Sequence, residues 1–337
     1  MLFDLGPRLP TTRDVARVVK RAGAEALTEA ERRADSARYQ EIRCRSALNP
    51  VKGMPFEWTL NPYRGCTHAC HYCFARRYQT QLELGPGDEF SSLIFVKANF
   101  VEVLRRELDH PKWHRQLAAL GTATDPYQPI EGHYELTRGS LQALASARSP
   151  VGLLTKGPMV VRDIDILQDL MANTRGSSVC VSVPTVDETA WRTLEPGTAP
   201  PLQRLRAVRK MVDAGLDAGV LMAPLVPGFS THPARIEATI KAIADHGARF
   251  VGSNILFLDG GTRDHFMRFL GAEFPAMTEQ YGQLYASKYV AKDYAERVKK
   301  TVALLKVRYG LITRSRRGED SEPSEPVTAA PAQAALW

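Results

Sequence analysis

The chain has 337 residues, 44% hydrophobic and 24% charged, which excludes a disordered or fibrous protein and suffices for one large α/β domain with extensions, or two ordinary domains. No run approaches the roughly 18 apolar residues of a membrane span, and Asp4, Arg8 and Pro10 interrupt the segment where an export signal would be apolar; a cytoplasmic protein with no membrane partner is expected. The net charge of +7 suits a polyanionic partner without requiring one.

Residues 1 to about 45 are polar and charged, with a helical stretch at Ala24–Arg43 and no strand signal. Short apolar runs then alternate with amphipathic segments. The runs predict strands at Phe56–Leu60, Leu93–Lys97, Leu117–Gly121, Val151–Thr155, Ser178–Val183, Ala218–Pro224 and Phe250–Leu256. Helices are predicted at Phe100–Leu108, Thr137–Ala147, Asp163–Met171, Leu202–Ala214 and Ala234–Asp245. In the fourth, Leu202, Leu205, Val208 and Val212 share one face, and Gly215 stands at the expected stop. The strand runs read as continuous rather than alternating, as in parallel strands covered on both faces. Right-handed βα units of this kind build either an open doubly wound sheet or a barrel. From Arg314 onward a Pro/Ser/Glu/Ala-rich tail predicts disorder.

Five cysteines are present, and Cys66, Cys70 and Cys73 lie within eight residues, in Cys-Thr-His-Ala-Cys-His-Tyr-Cys. An odd number so clustered is a poor disulfide framework and a good metal-ligand set. The loop follows the first predicted strand, at the edge where α/β barrels place their active sites. Three thiolates on one loop can hold three corners of an iron–sulfur cubane and leave the fourth iron open. Zinc is the alternative, with His68, His71 or Cys44 completing four ligands, although no second distant knuckle exists.

The C-x3-C-x2-C spacing, with Tyr72 just before the last cysteine, resembles that of radical S-adenosylmethionine (SAM) enzymes. The segments ALNPVKGMPFEWTLNPYRGC and GTATDPYQPIE narrow the resemblance to the spore photoproduct lyase-like branch, and to an actinobacterial group within it, over Ser46 to Arg314. It implies a partial (β/α)6 TIM-like barrel, which is expected over residues 46–270; composition and pattern add a helical N-terminal extension (1–45), a C-terminal helical extension (271–313) and a disordered tail (314–337). It also implies a [4Fe–4S] cluster on Cys66, Cys70 and Cys73, SAM on the open iron, and a reductant protein such as a flavodoxin or ferredoxin. SAM would be cleaved to methionine and a 5′-deoxyadenosyl radical that abstracts hydrogen from a substrate. Thr124 and Asp125 match residues at the SAM ammonium, Lys156 a lysine at its carboxylate and Ser182 a serine at its ribose or carboxylate. Tyr72 would lie against the cofactor. Each has a plainer reading as a turn, a surface lysine, a strand serine or a packing aromatic. The branch's hydrogen-returning cysteine is replaced here by Thr122, so thymine-dimer repair by that route is not implied. Cys180 reads as a small buried hydrophobe.

On the substrate side, Ala223–Gly228 falls where relatives line the adenine. The loop Leu258–Arg263 reads as a connection, or as a mobile cover offering Asn254 and Arg263 to a substrate. A C-terminal helix is predicted from Lys288 to Tyr309. Ten basic residues oppose two acidic ones between positions 288 and 317, interleaved with Tyr289, Tyr294 and Tyr309, as on a nucleic-acid surface or a solvated helix face. The enzymatic substrate is thus nucleic acid, a peptide or a small molecule, and a non-catalytic metal-binding module is the third reading.

Overall fold

The computed structural model describes residues 3–4, 37–82 and 87–311. Its eleven strands are β1 (Phe3–Asp4), β2 (Arg38–Ile42), β3 (Asn49–Pro50), β4 (Trp58–Leu60), β5 (Tyr63–Arg64), β6 (Leu93–Lys97), β7 (Ala118–Leu120), β8 (Val151–Thr155), β9 (Ser178–Ser182), β10 (Ala218–Leu225) and β11 (Val251–Ile255). One sheet runs β11-β10-β9-β8-β7-β4-β3. Its strands from β4 to β11 pair in parallel, and only β3 is antiparallel, on the outer edge. This is a partial (β/α)6 barrel.

The helices observed at Phe100–Leu108, Leu136–Ser146, Ile164–Asn173, Pro201–Asp213 and Pro233–Asp245 lie within two residues of the predicted ones. They cover one face of the sheet, where Val151, Leu153, Val179, Val181, Val220 and Val251 join Leu144, Leu170, Met211 and Ile240 in the main core. Each buried Val or Leu side chain contributes about 1.5–3 kcal/mol, so this layer dominates the stability of the barrel. Burial alternates along β8, buried at Val151, Leu153 and Thr155 and only partial at Gly152 and Leu154. The second face is therefore less covered than continuous apolar runs suggest. Cys180 and Ser182 alternate with Val179 and Val181, which places Cys180 on the barrel's inner face beside Leu154 and Gly219 instead of in the apolar layer.

Several expectations are corrected. Residues 38–42, expected at the end of a helix, form β2; residues 24–36 of that stretch lie outside the described residues. The strand β6 is not part of the barrel. It pairs in parallel with β2 and antiparallel with β5 in a second sheet, β1-β2-β6-β5. Helical propensity at residues 38–42 gives way because the Leu93–Lys97 edge offers backbone partners along its whole length. Finally, the helix Pro201–Asp213 buries Arg204, Leu205, Val208 and Met211 while Leu202 is 48% exposed. The stripe is rotated because Arg204 has an ionic partner inside.

The Gly-rich run after Asp259 is not a loop but the start of the helix Gly260–Glu273. Arg263 donates to the carbonyl oxygens of Tyr285 (2.9 Å) and Ser287 (3.3 Å), so it clamps the C-terminal segment. The basic C-terminal helix runs from Lys292 to Arg308, later than expected, and the tail from 314 lies outside the described residues. Among the described residues no helix is long and apolar enough to cross a membrane.

Candidate active site at the cysteine loop

The loop is held from both sheets. β4 leads into β5, whose pairing with β6 delivers the chain to Cys66, and the Cys66 N–H donates to Phe90 O at 2.9 Å. Two tight turns follow: Ala69 N–H donates to Cys66 O (3.2 Å) and Cys73 N–H to Cys70 O (3.3 Å). Ala69 sits at φ 52°, a left-handed conformation costly for a side chain with Cβ. Arg76, 2% exposed, supports that turn by donating to Ala69 O (2.9 Å), Cys70 O (3.1 Å) and Gly87 O (2.8 Å). Its guanidinium lies 5.0 Å from the centre of the Phe90 ring. Arg76 thus brings a positive charge to the inner side of a loop carrying three thiols.

The chain leaving β7 forms the next wall. Gly121, at φ 93°, passes so near β8 that a Cβ would lie 2.2 Å from Leu154 O. Thr124 Oγ1 donates to Gly65 O (2.7 Å) and accepts from Gln128 Nε2 (3.0 Å), while Gln128 Oε1 accepts the Thr67 N–H (3.2 Å). Asp125 accepts from Thr155 Oγ1 (2.6 Å), the Lys156 N–H (2.6 Å) and the Tyr127 N–H (2.9 Å), with His68 Nδ1 3.3 Å away. Burial pushes the Asp125 carboxyl up, but His68 and these donors outweigh it and hold the pKa at about 2. Both side chains expected at the SAM ammonium are therefore engaged inside the protein, where they fasten the cysteine loop to β7 and β8. Thr122 Oγ1 accepts from Asn61 Nδ2 at 3.2 Å.

A third wall was not anticipated. Glu195, just after the helix Glu188–Leu194, accepts from the Tyr72 hydroxyl and from Arg204 Nη2 (2.5 Å), and lies 3.8 Å from Lys156 Nζ. Arg204 also donates to Ser182 O (2.9 Å) and Thr198 Oγ1 (2.6 Å). Lys156 Nζ stands 5.7 Å from the centre of the Tyr72 ring, so Tyr72 and Lys156 meet as neighbours. Ser182 Oγ donates to Ala223 O (3.2 Å), its plainer reading. Burial pushes the Glu195 carboxyl up, and the charges of Arg204 and Lys156 pull it below the ordinary range. Burial works against the charged form of Lys156, yet Glu195 and Cys70 keep its pKa above the usual lysine value. The signals for this network were slight: an arginine in a helix stripe and a Glu-Pro-Gly run.

Gly197 closes the wall. Its N–H donates to His68 O (3.1 Å), and a Cβ would lie 2.3 Å from the Thr67 carbonyl oxygen. Backbone atoms on both sides cannot yield, so Gly197→Ala is expected to lower stability by about 1–3 kcal/mol, as overpacking does. It should also displace the cysteine loop. Chemical unfolding together with iron retention after anaerobic loading checks this; wild-type values for both would show that the loop tolerates the methyl group.

Burial raises the Cys66 thiol well above the ordinary cysteine range and Cys70 to about 12, while Lys156 pulls Cys70 back. A coordinating metal reverses that balance by holding the thiolate form. Among the described residues no three His, Cys, Asp or Glu side chains gather closely enough to hold a single ion. His68 is engaged with Asp125, and His71 stacks 3.9 Å from Phe269 with its Nδ1 3.3 Å from His265 Nε2. Cys44 is tied by its backbone to Asn99, away from the loop. A cubane bonds each thiolate to a different iron, so its ligands stand farther apart than those of one ion. One further observation fits such a group. Thr67, fully buried next to Cys66, has a hydroxyl with no partner among the described residues, an arrangement that costs about 1–3 kcal/mol if nothing else satisfies it.

Comparison with known proteins adds three findings. The family model described as "Radical SAM superfamily" matches residues 60–234. An uncharacterised protein of Mycobacterium tuberculosis (strain H37Rv) is 38% identical over 310 residues, covering 90% of this chain and 89% of its own. A spore photoproduct lyase variant with bound AdoMet and dinucleoside spore photoproduct superposes with a TM-score of 0.60 at 15% identity, covering 84% of this chain and 83% of that one.

Proposed function

The chain belongs to the radical SAM superfamily, and from that premise we propose that it cleaves SAM reductively at a [4Fe–4S] cluster held by Cys66, Cys70 and Cys73. The bound cluster would supply one electron, from a reductant protein such as a flavodoxin or ferredoxin, to break the sulfonium C–S bond to C5′, leaving methionine and a 5′-deoxyadenosyl radical that takes a hydrogen atom from the substrate. What carries the reading is the convergence of the cysteine loop, the Thr124–Asp125 turn and Lys156 at the ends of adjacent strands.

The chain's own residues would do the holding. Arg76 and Lys156 place two positive charges beside three thiolates, offsetting their mutual repulsion. Lys156 would pair with the SAM carboxylate from its position over Tyr72, with Glu195 setting the direction of its ammonium. Thr124 and Asp125 would meet the SAM ammonium at their turn, where the Asp125 carboxylate, held ionised by its donors, keeps acceptor capacity beyond the three bonds it already receives. Ser182, at the end of β9 on the inner face, would face the ribose or carboxylate. Burial of Cys66, Cys70 and Tyr72 would keep bulk solvent away from the cysteine loop.

For the substrate we propose nucleic acid. Beside the end of β11, Lys288 Nζ lies 5.8 Å from the Phe257 ring and 5.6 Å from the Tyr289 ring, and Tyr289 is 52% exposed. Exposed rings with a cation are how single strands are stacked and held. The neighbour of similar fold binds a dinucleoside.

Anaerobically reconstituted protein is expected to be brown and, with dithionite, to convert SAM to 5′-deoxyadenosine. Single-stranded oligonucleotides should raise the rate, with the effect fading as salt rises. A loaded cluster that yields no deoxyadenosine would remove the enzymatic reading. Yield unaffected by oligonucleotides but raised by peptides or small molecules would move the substrate class.

A further inference from the structure

We propose that Thr67 is a positioning residue for the cluster, its hydroxyl donating to a cluster sulfide or to a coordinating thiolate and so setting the reduction potential. The proposal rests on the cluster assignment above and extends it to a residue that neither the cysteine spacing nor the SAM-binding turn singles out.

The backbone of Thr67 is held in place against Gln128 and packed against Gly197. Its N–H donates to Gln128 Oε1 at 3.2 Å, and its carbonyl oxygen lies where Gly197 allows closest approach. The neighbouring polar side chains are committed as well: His68 to Asp125, Gln128 to Gly65 and Thr124. Only the Thr67 hydroxyl is left, on a residue with no solvent exposure, one position from Cys66 and three from Cys70. A hydroxyl that water does not reach and no protein group accepts from is stable in the folded state when something bound supplies the acceptor. Sulfide and thiolate sulfurs are such acceptors, and they are the anionic atoms this loop is built to surround.

The consequence is electrostatic. One-electron reduction adds negative charge to the cluster, and a hydrogen bond to sulfur stabilises the reduced form more than the oxidised one. Thr67 therefore raises the potential and eases electron entry from the donor protein. Arg76 acts in the same direction through its charge, but its guanidinium also holds the Ala69 turn, so its removal would disturb the loop itself.

The test uses the full-length protein reconstituted anaerobically with iron and sulfide, wild type beside Thr67→Val and Thr67→Ser. Valine keeps the shape and removes the donor; serine keeps the donor. Iron and sulfide content is measured first, then the midpoint potential by EPR-monitored titration with dithionite and mediators, with no substrate present. Equal iron content in all three is expected, with a more negative midpoint in Thr67→Val and a near-wild-type one in Thr67→Ser. A Thr67→Val midpoint equal to wild type overturns the proposal. If Thr67→Val does not load, Thr67→Ala and Thr67→Ser, which differ by one hydroxyl, are compared instead, and equal midpoints in that pair overturn it. Wild-type protein that takes up no iron would refute the cluster assignment, a failure distinct from an unchanged potential.

Discussion

Alanine at Cys66, Cys70 or Cys73, introduced singly, is expected to yield folded protein that retains little iron and makes no 5′-deoxyadenosine. Enzymes typically accelerate reactions by at least about 10⁶-fold, so the loss should reach the uncatalysed background. Each thiolate would hold a different iron, and a cubane released at one corner with the fourth already open has only two protein bonds. Folding should survive because the loop is fixed by other groups: the Cys66 and Cys73 N–H bonds, Arg76 on the Ala69 and Cys70 carbonyls, and Gln128 on Thr67. Cys44→Ala and Cys180→Ala are the controls and should load iron normally. Circular dichroism, iron and sulfide analysis and deoxyadenosine yield together check the result. Full iron retention in any of the three loop variants would contradict the ligand assignment.

The second large effect is expected at a residue without thiol chemistry. Arg204→Met should destabilise the protein by about 3–5 kcal/mol, the usual consequence of stranding one member of a buried ion pair. Arg204 has no exposed surface and Glu195 only 3%, so water cannot take over the solvation of the carboxylate. At roughly 2–4 °C per kcal/mol, the melting temperature should fall by about 6–20 °C. The Arg204→Met/Glu195→Gln double variant should recover part of that loss, because the uncompensated charge is gone. SAM cleavage should fall in both, since Lys156 and Tyr72 depend on Glu195 for their placement. A single variant as stable as wild type would mean that Glu195 is satisfied by Lys156 alone.

These expectations differ in where they could be read. The cysteine set was open to inspection because it is a local pattern: three thiols within eight residues. The βα alternation was equally open, since each helix needs an apolar stripe and each strand a short apolar run, and both are recorded in consecutive residues. The Glu195 wall was not. Tyr72 and Glu195 are 123 positions apart, and only closure of the barrel brings them together. The same holds for Arg204, which looks like a polar interruption of a helix stripe until its partner is known.

Thr124 and Asp125 show the same division more finely. Their place beside the cysteine loop followed from the strand-end motif, as the family resemblance implied. What their side chains hold inside the protein depended on groups from β8 and the loop itself: Gly65 O, Thr155 Oγ1 and the Lys156 N–H. β2 is a further case, because residues 38–42 carry helical propensity and pair as a strand with β6.

By itself, the sequence determined the family, the alternation that builds the barrel and the three cysteines, each encoded within a few residues by spacing or periodicity. Only the tertiary structure decided which buried charges neutralise one another, which internal groups Thr124 and Asp125 bind, and that the Thr67 hydroxyl has no partner among the described residues. Those outcomes depend on desolvation and on pairs remote in the chain, and both are set only when the strands close around the loop.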